Sequence, residues 1–122
     1  MKTYLVLIVS LFVCTSLHAQ GRQGEGRRFT VEEVAQRQTE WMTEELKLDD
    51  TQKHAVDSIN LLFTKAQQIL FQSFEGDREK IREAMTALNS EKEKALEAVL
   101  TSEQLEDYKK KSAERMNNRR RR

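Results

Sequence analysis

Apolar side chains recur at intervals of three and four residues in four segments of the chain, a spacing typical of amphipathic α-helices. The first segment starts near Thr30, and its face is interrupted by Gln38 and Glu45. The apolar positions of that face are Val31, Val34, Ala35, Trp41, Met42 and Leu46. The chain has no proline and only four glycines, so few residues oppose helix formation. The predicted fold class is all-α, with four helices arranged as long antiparallel hairpins.

Two similar five-residue motifs lie at the predicted starts of the second and fourth helices. LDDTQ begins at residue 48, and LTSEQ begins fifty-two positions later at residue 100. Asp or Thr before a helix accepts a hydrogen bond from the third helical amide, and a glutamine at that third position can bond back. We therefore predict a reciprocal capping box at each corner, preceded by a leucine that covers the turn, and expect the cap to contribute more stability than the returning glutamine. The motif residues are Leu48, Asp49, Gln52, Leu100, Thr101 and Gln104.

The second helix is predicted from about Asp50 to Phe74, with an apolar arc about 140° wide. Leu61 and Phe71 project away from this arc, among polar side chains. Single exposed apolar residues are common, so Leu61 and Phe71 are either ordinary exposed residues or part of a surface for dimerisation or for binding client proteins. The residues of the predicted arc are Ala55, Val56, Ile59, Leu62, Phe63, Ala66, Ile69, Leu70 and Phe74.

The remaining two helices differ in their apolar content. The third, from Arg78 to about Val99, has one apolar stripe with Lys92 at its centre, where a lysine is expected to extend its amine to solvent. The fourth, from Thr101, has only three large apolar residues and is expected to fray toward the final arginines.

The first nineteen residues have the pattern of an export signal: a basic Lys2, a mostly apolar run, and Ala19 at a cleavage site. The apolar run is shorter than the roughly 20 residues of a membrane-spanning helix, although a retained anchor is the alternative. Export predicts a periplasmic location. The predicted organisation is a signal peptide (1–19), a flexible basic segment (20–29), a helical domain (30–116) and a disordered basic tail (117–122).

Charge is distributed unevenly along the predicted mature chain. Residues 21–28 carry three arginines and one glutamate (net +2), and residues 29–108 carry nine Lys or Arg against eighteen Asp or Glu (net −9). Residues 109–122 carry eight Lys or Arg against one glutamate (net +7). Arginine runs often indicate nucleic acid, but export argues against that partner. The tail is interpreted as solvated and complementary to a helix dipole, with contact to an anionic membrane surface as an alternative.

The composition offers little for catalysis or metal binding. Cleavage would remove Cys14 and His18 and leave His54 as the sole imidazole. There is no nucleophile with a base, no glycine-rich phosphate loop and no cluster of cysteine or histidine. We predict no enzyme activity, no cofactor and no dedicated metal site. His54 lies one helical turn from Asp57. The two are interpreted as an exposed polar pair, with weak binding of a metal ion as the alternative.

The chain combines an export signal, a helical mature part without cysteine, and the two motifs LDDTQ and LTSEQ. In these features it resembles the Spy/CpxP family of periplasmic proteins, and the resemblance covers residues 31–111. LTSEQ matches that family's motif fully, whereas LDDTQ has Asp49 where threonine is usual. The resemblance implies a thin dimeric cradle and either ATP-independent chaperone activity or regulation of an envelope sensor. Metal sensing, found in some branches, is disfavoured because this chain has few histidines.

Two functions therefore remain open from the sequence. A chaperone would bind unfolded or misfolded proteins, whereas a regulator would bind the periplasmic part of one envelope sensor. A homodimer suits both, because about 100 residues of thin helix have a limited core.

Overall fold

The computed structural model describes residues 28–122. Within that range the chain forms four α-helices and no strand, so the all-α prediction is confirmed. The predicted signal peptide and most of the predicted basic segment lie outside the described residues. The helices are α1 (Val31–Leu46), α2 (Asp50–Ser73), α3 (Arg78–Glu97) and α4 (Ser102–Arg120).

Local hydrogen bonds and two left-handed residues set the ends of the helices. At the start of α1, Thr30 Oγ1 accepts from Glu33 N at 3.1 Å, and Glu33 Oε2 accepts from Thr30 N at 2.9 Å. Lys47, which follows the last residue of α1, has φ 56°, and the turn between α2 and α3 contains Gly76 with φ 86°. Glycine adopts positive φ at little cost, whereas a residue with a Cβ is disfavoured there.

α2 packs against both α1 and α3, and α4 makes fewer contacts, with α1 and α3. The buried core is small and lies near the two motif corners. Trp41 and Tyr108 are partly buried against it, with ring centroids 6.5 Å apart. The core residues are Met42, Leu46, Val56, Leu96 and Leu100. With so few buried side chains, most of each helix keeps one face toward solvent.

The predicted apolar arc of α2 is wrong in part. Leu62 and Ile69 were expected in the core, but they are 64% and 62% exposed. The face that α1 covers instead contains polar groups: Asn60 Nδ2 donates to Thr39 Oγ1 at 3.0 Å, and Thr39 Oγ1 also bonds Asp57 Oδ1 at 3.1 Å. These bonds satisfy buried polar atoms only when α2 presents this side to α1. The opposite side of α2, with Leu62 and Ile69, is then left uncovered.

The predicted disordered tail also needs correction. α4 continues through Arg120, so the helix includes most of residues 117–122. No glycine or proline interrupts the segment, and the terminal arginines lie where positive charge stabilises the carboxyl end of a helix. The side chains of residues 117–122 are exposed, so this part of α4 has no core contact.

Candidate functional site

Both predicted capping boxes form. At the start of α2, Asp49 Oδ1 accepts from Gln52 N at 2.7 Å, and Gln52 Oε1 accepts from Asp49 N at 3.2 Å. At the start of α4, Thr101 Oγ1 accepts from Gln104 N at 3.2 Å, and Gln104 Oε1 accepts from Thr101 N at 3.0 Å. Each corner therefore satisfies two backbone amides that a helix start would otherwise leave unbonded.

The two motif glutamines meet each other. Gln52 Nε2 donates to Gln104 Oε1 at 2.6 Å, and Gln104 Nε2 donates to Gln52 Oε1 at 3.3 Å. Each amide also bonds a backbone carbonyl of the other corner: Gln52 Nε2 donates to the carbonyl of Val99 at 3.3 Å, and Gln104 Nε2 to that of Leu46 at 3.2 Å. We call this pair of side chains the glutamine clasp; it joins the α1–α2 corner to the α3–α4 corner.

The leucines of the motifs pack beside the clasp. Leu100 belongs to the buried core, and Leu48 is partly buried against it. Sequence reasoning placed all six motif residues in helix corners but missed that the corners touch. The sequence feature that could have indicated this contact is the repeated motif, because two similar capping boxes in consecutive hairpins can pair with each other.

The two polar residues that interrupt the face of α1 make contacts to distant helices. Gln38 Oε1 accepts from Lys92 Nζ of α3 at 2.9 Å. Glu45 pairs with Lys111 of α4 at 2.8 Å, and the hydrogen bond from Lys111 lowers the pKa of Glu45. Lys92 does not extend fully to solvent as expected: it is half-buried, and burial lowers its pKa to about 8.

An open groove of about 510 Å³ lies among all four helices and receives Lys92. Its apolar wall includes Trp41, Phe63, Leu88 and Tyr108. Such a volume falls within the range of about 300–1,000 Å³ that small-ligand sites occupy. We call this cavity the four-helix groove.

The candidate surface residues of α2 lie in different environments. Phe71 is 47% exposed, whereas Leu61 is half-buried. Phe71 lies toward the end of α2, beyond the level at which α1 begins, so α1 cannot cover it. Together with Leu62 and Ile69, it leaves three large apolar side chains of α2 open to solvent.

No group of three or more His, Cys, Asp or Glu residues between positions 28 and 122 is placed to hold a metal ion. His54 is exposed, and its expected neighbour Asp57 bonds Thr39 at 3.1 Å. None of the helices in the described part of the chain is long and apolar enough to cross a membrane.

Comparison with known proteins shows the family of the chain. Residues 19–108 match the model of a family described as a domain of unknown function, DUF4890. The chain belongs to the DUF4890 family. No curated protein matches the chain significantly, and no solved structure does. The matched region of this DUF4890 protein includes both motif corners and the glutamine clasp.

Proposed function

We propose that the exported protein is an ATP-independent chaperone of the periplasm that holds unfolded or misfolded proteins. The observation that carries the proposal is the exposure of three large apolar side chains on α2: Leu62, Ile69 and Phe71. Phe71, with the half-buried Leu61, would make weak contacts with many sequences, because apolar side chains on a charged surface tolerate varied partners. The likeness of the two motifs to those of Spy/CpxP proteins supports the same proposal.

A homodimer is part of this proposal. Ala55, Ile59, Leu62, Ala66 and Ile69 follow one another at alternating intervals of four and three residues. This is the spacing of a coiled-coil seam. We propose that two copies pair through this seam, which would cover Leu62 and Ile69 and leave Phe71, on the other side of α2, for clients.

The test is suppression of aggregation by the processed protein, in the absence of nucleotide, with a chemically unfolded client diluted into buffer. Light scattering should fall as the protein is added in stoichiometric amounts. Replacing Leu61 and Phe71 together with serine should weaken suppression. The matched control is Gln68→Ser with Gln72→Ser, two exposed polar positions of the same helix, and it should behave as the parent.

A second pair of substitutions addresses the seam. Leu62→Ser with Ile69→Ser should shift the protein toward monomer in sedimentation velocity while circular dichroism retains the helical signal. Exposed substitutions away from caps and cores usually change stability by less than about 0.5 kcal/mol. If both double variants fold, dimerise and protect clients as the parent does, the proposed surfaces are wrong.

The regulatory alternative predicts a different result in the same assay. A protein that binds the periplasmic part of one sensor would leave unrelated clients to aggregate and would bind a single envelope protein saturably. That outcome would replace the chaperone proposal.

A further inference from the structure

The four-helix groove has a charge opposite to that of the body around it. Four cationic side chains line it and no Asp or Glu does, although residues 29–108 carry nine more acidic than basic residues. None of the four forms an ion pair with another residue of the described range. The four are Arg37, Lys92, Arg115 and Arg119.

Two of these cations rest on aromatic rings. The Arg37 guanidinium lies 3.8 Å from the ring centroid of Phe29, and that of Arg115 lies 4.9 Å from the centroid of Trp41. Stacking of this kind stabilises a guanidinium without neutralising it. The positive charge at the groove is therefore retained.

Two polar groups of the groove have unused hydrogen-bonding capacity. The Lys92 ammonium has three N–H donors, and its one hydrogen bond within the described residues goes to Gln38. Thr64, on α2, is only 8% exposed, and its Oγ1 has no hydrogen-bond partner among the described residues. A buried hydroxyl without a partner is unfavourable, so a ligand atom that bonded it would be stabilised.

The geometry points to the four-helix groove as a binding site for a single-chain carboxylic acid amphiphile. Its carboxylate would accept a hydrogen bond from Lys92, and its hydrocarbon chain would lie along the apolar wall. Thr64 Oγ1 is enclosed in this structure, so the side chain would rotate about χ1 to donate to the same carboxylate. A monoanion with two oxygens matches one ammonium and one hydroxyl. It also supplies the counter-charge that the groove lacks.

An extended peptide fits this groove less well than a hydrocarbon chain. The walls are side chains of four helices, whose backbone amides and carbonyls bond within the helices. A peptide's own amides would lose water there and find few partners, whereas a hydrocarbon chain needs none. Burial of the chain is favourable in proportion to the apolar surface that it removes from water.

The site predicts how binding depends on pH. Burial lowers the pKa of Lys92 to about 8, so its protonated fraction falls as pH rises through that value. The other charged groups facing it are Arg37 from α1 and Arg115 and Arg119 from α4, and the groove residues of α2 are uncharged. Burial raises the pKa of Tyr108 above its ordinary 10.0. Where the ligand is ionised, affinity should therefore be greatest at about pH 6–7 and decrease as pH rises through about 8.

The test uses dodecanoate, below its micelle concentration, titrated calorimetrically into the processed protein. We expect one saturable site per chain, at least tenfold weaker binding by Lys92→Met, and about threefold weaker binding by Thr64→Val. The matched control is Lys94→Met, two residues along α3, whose side chain is 71% exposed and pairs with Glu91; it should bind within twofold of the parent. Dodecyltrimethylammonium, with the same chain and opposite charge, should not saturate the site.

A second measurement needs no variant. Trp41 is the one tryptophan of the sequence and lines the groove, so dodecanoate brominated at its chain end should quench tryptophan fluorescence with the affinity found by calorimetry. The inference would be overturned by the absence of saturable binding, by equal binding of the cationic amphiphile, or by unchanged affinity in a folded Lys92→Met. Lys92-dependent binding of an acidic peptide without binding of dodecanoate would also overturn it. The proposed chaperone activity is tested separately, because the α2 substitutions leave the groove residues Lys92 and Thr64 in place.

Discussion

Replacing Lys92 with methionine should stabilise the folded protein in the absence of ligand. The substitution keeps an unbranched side chain of similar length and removes a charge that α1, α3 and α4 hold in a half-buried groove. Such a charge is costly because burial takes it partly out of water. Its single bond to Gln38, at 2.9 Å, offsets only part of that cost.

The magnitude follows from the pKa. Burial lowers the pKa of Lys92 from 10.5 to about 8, and each pKa unit corresponds to about 1.4 kcal/mol, which gives about 3 kcal/mol. Loss of the hydrogen bond to Gln38 should cost about 1 kcal/mol. We therefore expect Lys92→Met to raise the free energy of unfolding by about 2 kcal/mol at pH 7.

The sign of the pH dependence is fixed by the direction of this shift. Between pH 8 and 10.5 the unfolded state binds the lysine proton more tightly than the folded state does, so parental stability gains from rising pH across this window. Below pH 8 both states are protonated and the full cost is present. The advantage of Lys92→Met should thus be greatest at or below pH 8 and should shrink as pH rises toward 10.5.

Urea unfolding followed by circular dichroism, at pH 7, 8, 9 and 10, measures this difference directly. Groups common to parent and variant cancel in the comparison. Lys94→Met, on the exposed side of the same helix, removes the same charge and should change stability by less than about 0.5 kcal/mol. A Lys92→Met protein less stable than the parent at pH 7, or a difference that stays constant with pH, would refute the reasoning.

Four further outcomes are expected from the corners and the amino terminus. A double-mutant cycle of Gln52→Ala and Gln104→Ala in urea unfolding should give a coupling energy of about 0.5–1.5 kcal/mol; additive effects would mean that the clasp does not form in solution. Thr101→Ala should cost about 0.5–2 kcal/mol, and Gln104→Ala at least as much, contrary to the sequence-based expectation, because Gln104 also bonds Gln52 and the carbonyl of Leu46. Lys47→Gly should be neutral or stabilising by up to about 1 kcal/mol, since glycine accepts φ 56° without a Cβ clash, and a loss of stability in thermal unfolding would contradict this. Intact-mass measurement of envelope-fraction protein should place the amino terminus near Gln20, and a retained Met1 would remove the basis for a periplasmic location.

The helix starts could be predicted from the sequence because they depend on residues only three positions apart. A side-chain oxygen at Thr30, Asp49 or Thr101 can reach only the amides of its own first turn. The all-α class follows for a similar reason, since apolar spacing and the absence of proline act within each segment. These are local interactions, and the order of residues specifies them.

The partners of each helix face were decided by the tertiary structure. Periodicity indicated the direction in which Leu62 and Ile69 point, but not which side of α2 would pack against α1. In the structure α1 packs against the side of α2 that carries Val56 and Asn60. The meeting of Gln52 with Gln104 and the burial of Lys92 likewise join residues from different helices. Such contacts depend on how the hairpins pack. The spacing of residues determines the direction of each side chain around its own helix axis, but it does not determine how two helix axes are placed relative to each other.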